Sequence, residues 1–107
     1  MGINQYDIVL VNLNPTKGSE IKKTRPCLII SPNEINHNLN TIIIAPMTTT
    51  SKPYPTWVKI HHQGKMGWAV IDQIRTIDKS RVLRVLGKIS KKEIVQCKRV
   101  IKVTLVD

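Results

Sequence analysis

The chain has 107 residues, 41% of them apolar, which is enough for one hydrophobic core and leaves no need for disulfide or metal staples. Lys and Arg number 17 against 7 Asp and Glu, and a formal charge of +10 on so short a chain points to a polyanionic partner. No apolar run reaches membrane-spanning length and the basic residues are not gathered on one amphipathic helix, so nucleic acid is favoured over an anionic membrane.

In chain order, the first residues, Met1-Gly2-Ile3-Asn4-Gln5-Tyr6-Asp7, hold neither an apolar signal core nor an Arg-rich presequence, and the expected location is the cytoplasm. Segments rich in Ile and Val and bounded by Pro, Gly or Asn predict strands at Ile8 to Leu13, Cys27 to Ser31, Thr41 to Met47 and Thr56 to Ile60. The second and third are nearly continuous apolar runs, as expected of central strands buried on both faces. Shorter strands are predicted at Gly67 to Ile71, after a turn at Gln63-Gly64-Lys65-Met66, and at Val85 to Ile89, with Gln73 to Ile77 continuing extended.

Ser90-Lys91-Lys92-Glu93 fits a helix-starting capping box, and Ile94, Cys97, Ile101 and Leu105 then mark one helical face. The pattern predicts a mainly β, α+β domain over 1–107: a small antiparallel barrel with a C-terminal helix. No repeat, linker or domain boundary interrupts it. Cys27 and Cys97 lack partners at zinc-ligand spacing and are read as reduced, buried filler.

Two loops carry the chemistry. The first, Asn14 to Pro26, is polar, basic and long for a link between neighbouring strands; Pro26 biases Arg25 toward extended backbone, where its guanidinium is aimed from a rigid edge. The second, Pro46 to Pro55, presents Thr48, Thr49, Thr50, Ser51, Lys52 and Tyr54, a set able to grip phosphate oxygens and stack a base. Each loop alone is also ordinary surface chemistry.

Taken in order, Pro15-Thr16-Lys17-Gly18-Ser19-Glu20, Thr24-Arg25-Pro26, Pro46 through Pro55, and Asp72-Gln73-Ile74-Arg75-Thr76-Ile77-Asp78-Lys79 resemble the MazF/PemK toxin family across nearly the whole chain. The resemblance implies an SH3-like barrel, the PemK-like or plasmid maintenance toxin fold. It implies a homodimeric, metal-independent, sequence-specific endoribonuclease (an mRNA interferase) that needs no cofactor, acts on single-stranded RNA and is neutralised by an acidic, MazE-like antitoxin. The family's catalytic pair falls on Arg25 and Thr48. Ser19, Glu20, Lys22, Thr49, Ser51, Lys52 and Gln73 would line the RNA groove, with Glu20 a candidate proton shuttle.

Cleavage through the neighbouring 2′-hydroxyl leaves a 2′,3′-cyclic phosphate and a 5′-hydroxyl, and the permanently charged fork of Arg25 suits the phosphorane oxygens better than it suits proton transfer. Histidines are the usual proton carriers, but His37 falls in the polar connection Asn33 to Asn40, and His61-His62 ends a strand outside the motif loops. The chain departs from the family pattern at Gln5-Tyr6-Asp7, where members often begin Arg-Gly-Asp, and at Ile21-Lys22-Lys23, where they carry Gln and Gly. Its first loop is therefore more cationic, and RNA binding should be salt-sensitive. Asp72 to Lys79 and parts of the terminal helix are candidate dimer contacts. A gyrase-inhibiting toxin of the same fold and a noncatalytic RNA-binding barrel stay open as alternatives.

Overall fold

A computed structural model of the chain describes residues 2–13, 24–50, 52 and 54–106. Seven strands, β1 (Asp7–Asn12), β2 (Thr24–Ile29), β3 (Thr41–Thr48), β4 (Trp57–His62), β5 (Lys65–Val70), β6 (Arg75–Asp78) and β7 (Val82–Lys88), form one antiparallel sheet in the order β4-β5-β3-β2-β1-β7. The long β3 serves two partners in series: Thr41 to Ile44 pair with β6, and Met47 and Thr48 pair with β5. That division curls the sheet strongly and gives the expected mainly β fold with its terminal helix.

Alternation along the central strands explains their unbroken apolar runs, because both faces are buried. Leu28, Ala45 and Met47 enter one core with Ile8, Val58, Ile60 and Ile71. Cys27, Ile29, Ile42 and Ile44 enter a second core on the opposite face with Val9, Val11 and Ile77. β2 and β3 lie at the centre of the sheet, as the sequence predicts.

Several boundaries differ from expectation. β2 begins at Thr24, so Arg25 lies inside a strand, opposite Val11 of β1. The β4–β5 turn is the two residues Gln63-Gly64, whose φ values of 50° and 74° are those of a tight turn matched to strand twist. Gln73 does not continue an extended run: Ile71–Gln73 is a single 3-10 turn before β6.

The Asn33 to Asn40 connection contains a short helix, α1 (Asn33–Asn38). It is held by the buried Asn36, whose amide donates to the Ser31 carbonyl at 2.8 Å, while the Ser31 hydroxyl accepts the Ile43 N–H at 3.0 Å. His37 ties this helix to the N-terminal segment through Nε2 and the Ile3 carbonyl at 3.0 Å.

Helix α2 (Lys91–Ile101) starts with both halves of the capping box in place, Glu93 N–H to Ser90 Oγ at 3.2 Å and Ser90 N–H to Glu93 Oε1 at 2.9 Å. Cys97 and Val100 are buried, with Ile94 and Ile101 packed beside them. Leu105, predicted on the same face, is 51% exposed. The reason is a π turn over Lys102–Val106, whose wider winding breaks the 3.6-residue phase. Among the described residues no helix is long and apolar enough to cross a membrane.

Candidate active site

The strand register assembles the site. β2 and β3 pair through Leu28 with Ala45 and Cys27 with Pro46, and continuing that register two residues past its last pair sets Arg25 against Thr48. On the other side of β3, Thr48 is opposite Trp68 of β5, and Trp68 is opposite Lys59 of β4. Directly opposed residues of antiparallel strands point to the same face. Arg25, Thr48, Trp68 and Lys59 therefore form one row across four adjacent strands, about 15 Å long at ordinary strand spacing.

Arg25 is exposed, so its guanidinium is free to meet a ligand. Its backbone is fixed by the β1 ladder, with Pro26 following. The neighbouring Cys27 thiol reports the local field: burial pushes it up to about 12, and the charges of Arg25 and Arg75 pull the other way. Arg75 opens β6 opposite Ile44 and so stands on the same face, a second guanidinium at this end of the sheet. The sequence motif contained Arg75 but gave no reason to assign it here, because only the β3–β6 register brings it near Cys27.

Thr48 is half-buried, and its Oγ accepts the Thr50 N–H at 3.1 Å. With one lone pair held in this way, the hydroxyl is oriented and its own proton is available to a phosphate oxygen. The reading of Pro46 to Pro55 as one loop needs correction, since Pro46, Met47 and Thr48 belong to β3 and the connection begins at Thr49. Thr49 and Lys52 are exposed beyond it, and Gln73 is exposed at the end of the 3-10 turn. The start of that turn is fixed by Thr56 Oγ donating to Asp72 Oδ1 at 2.8 Å. Ser19, Glu20, Lys22 and Ser51 lie outside the described residues.

A cleft of about 260 Å³ opens on the other face of the same strand ends, bordered by Pro26, Thr48, Thr49 and His62. Arg25 is not among its lining residues. The two histidines at the end of β4 separate as strand alternation requires. His61 faces the side of Trp68 and Lys59, whereas His62 enters the cleft and donates Nε2–H to the Leu86 carbonyl at 3.1 Å. Its imidazole occupies the space over Gly87, where a Cβ would collide with the ring.

Residues 4–105 match the family described as PemK-like, MazF-like toxins of type II toxin–antitoxin systems. The chain belongs to the PemK/MazF toxin family. It is 38% identical over 71 residues to the endoribonuclease toxin MazF of Escherichia coli K12; the match covers 66% of this chain and 64% of that protein's length. It is 31% identical over 105 residues to the endoribonuclease MazF of Staphylococcus saprophyticus, covering 92% of this chain and 88% of the relative.

The fold is likewise that of solved PemK/MazF toxins. A MazE–MazF crystal structure from Deinococcus radiodurans superposes with a TM-score of 0.84 at 25% identity, covering 97% of this chain and 96% of that one. A mycobacterial endoribonuclease solved with its cognate antitoxin gives 0.84 at 21% identity, with 98% and 96% covered.

Proposed function

We propose that this chain is the toxin of a toxin–antitoxin pair, a cytoplasmic homodimer that cuts single-stranded RNA at specific sites without a metal and is neutralised by an acidic antitoxin. The observation that carries the reading is the β2–β3 register, which, carried two residues on, sets Arg25 against Thr48 at one end of the sheet of a chain with charge +10. The named activity of the relatives supports it.

In the reaction the 2′-oxygen attacks the adjacent phosphorus and gives up its proton, and the bond from phosphorus to the 5′-oxygen breaks. The products are a 2′,3′-cyclic phosphate and a 5′-hydroxyl that has taken up a proton. Arg25 binds two phosphate oxygens and neutralises the phosphorane, for which a planar, permanently charged fork is suited. Thr48 donates its hydroxyl to the same centre. Glu20 or water carries the protons, and Ser19, Glu20, Lys22, Thr49, Ser51, Lys52 and Gln73 contact the RNA. The acidic antitoxin competes for this surface by charge complementarity.

The test is to incubate the purified protein with a long RNA in EDTA and map the new ends. Discrete cuts with 5′-hydroxyl ends are expected, reduced by about 10²-fold or more in Arg25→Ala. Arg25→Lys cutting at the wild-type rate would remove the bidentate part of the account. RNA bound but left intact would make the protein a noncatalytic binder, and inhibition of gyrase supercoiling without any cutting would make it a gyrase poison.

A further inference from the structure

The row that begins at Arg25 and Thr48 runs into a second concave surface. A groove of about 590 Å³ lies between Trp57, Lys59, His61 and Trp68 of the β4–β5 hairpin and the side of α2 that carries Lys92 and Glu93. Only four residues of the chain are Trp, Tyr or Phe, and three of them meet here. Tyr54 stands edge-on to Trp57 with ring centroids 5.2 Å apart, and the Lys59 ammonium lies 5.8 Å from the centre of the Trp68 ring. Both indoles are half-buried, anchored yet open on one side. Such concentration in a chain with 4% aromatics marks a site.

Among the described residues lining the groove, two ammonium groups stand against one carboxylate. Lys59 and Lys92 supply ammonium groups, and the single acid, Glu93, is committed: one oxygen accepts the Ser90 N–H at 2.9 Å and the other the His61 N–H at 2.7 Å. Glu93 therefore works as a strut joining α2 to β4. Flat indole faces fringed by ammonium groups match unpaired bases and their phosphates, because any base can stack while the backbone meets the lysines. The groove is also continuous with the site, since Trp68 is the cross-strand partner of Thr48, about 5 Å away between Cα atoms.

We infer that this groove is an RNA subsite that stacks bases outside the cut step, with Trp57 and Trp68 as platforms and Lys59 and Lys92 on the flanking phosphates. The inference rests on the ribonuclease reading for its substrate. It gives single-strand selectivity a physical source, because a base inside a duplex has both faces covered.

Trp57 and Trp68 are the chain's only tryptophans, so its indole emission reports on this groove alone. The experiment titrates the full chain with a deoxyoligonucleotide of about 12 nucleotides, which lacks the 2′-hydroxyl and is not cut. Saturable quenching is expected. Trp57→Leu and Trp68→Leu should each weaken binding about tenfold, with most of the affinity restored in Trp57→Phe. Lys59→Ala, at an exposed position that does not threaten folding, should weaken binding severalfold and flatten its salt dependence.

Binding without any change in indole emission, or undiminished affinity in both leucine variants, overturns the subsite. Emission that follows protein concentration instead of oligonucleotide also overturns it, and assigns the groove to a second copy of the chain. Cutting assays run in parallel separate the two readings. Wild-type protein that cuts RNA without quenching refutes the subsite alone; quenching without cutting refutes the ribonuclease and leaves the subsite standing.

Discussion

Thr48 shows how much a single hydroxyl can be asked to do. Its Oγ is oriented by the Thr50 amide, which leaves its own proton to be donated to the phosphate in the reaction proposed for this chain. Thr48→Ala should lower kcat by about 10²-fold, the usual loss for one preorganised donor, whereas Thr48→Ser should stay within about tenfold of wild type. Single-turnover cleavage of a defined RNA measures both, and an alanine variant at full rate would remove Thr48 from the chemistry. The thiols make a prediction of a different kind. Burial holds Cys27 and Cys97 up at about 12 in the native state, so the unfolded chain ionises first as pH rises. Stability from this source is complete below about pH 9 and is lost as pH climbs toward 12. Urea midpoints should fall through that window, and Cys27→Val should reduce the fall. Arg25 and Thr48 were legible in the sequence through the order of four motifs that resemble the family, since the Arg-Pro step and the run of hydroxyls are each ordinary loop chemistry alone. Arg75, Trp57 and Trp68 were not, since nothing beside them in the chain marks them and only the pairing of distant strands brings them to the site.

At the scale of elements, most of the sheet could be read from apolar runs, and the errors fell where pairing overrides composition. Thr24-Arg25-Pro26 looks like loop by residue type, yet the β1 ladder extends to it and makes it strand. Asn33 to Asn38 is too short and asparagine-rich to register as helix, and is held by Ser31 and Asn36. The capping box at Ser90 was legible in full; its second task was not. Glu93 also accepts the amide of His61, a residue 32 positions away, and so fastens α2 to the edge strand β4. Glu93→Ala should therefore cost more than an ordinary cap, about 2 kcal/mol instead of about 1, while Glu93→Gln, with one acceptor oxygen, should keep only one of the two amide bonds and fall between. Urea unfolding distinguishes these outcomes, and a loss confined to a few tenths of a kcal/mol would show that the link to β4 contributes nothing.

For the whole molecule, the apolar residues left outside are as informative as the core. Val95, Val103, Leu105 and Val106 are all exposed along α2 and the turn that follows it. In the dimer proposed for this chain, such a stripe is a surface to be covered, and the melting temperature should then rise with protein concentration by mass action. Scanning calorimetry over a hundredfold concentration range checks this, and a constant midpoint would place the stripe outside any contact between copies. The π turn decides where the stripe points. One additional residue in that last winding works as a phase shifter, turning Leu105 away from the core side of α2 and toward the surface offered in the proposed dimer. Deleting Thr104 should restore ordinary winding and swing the residues after it back into step with Cys97 and Ile101. If the proposed dimer uses that surface, the result would be a chain that keeps its barrel and pairs less readily with a second one.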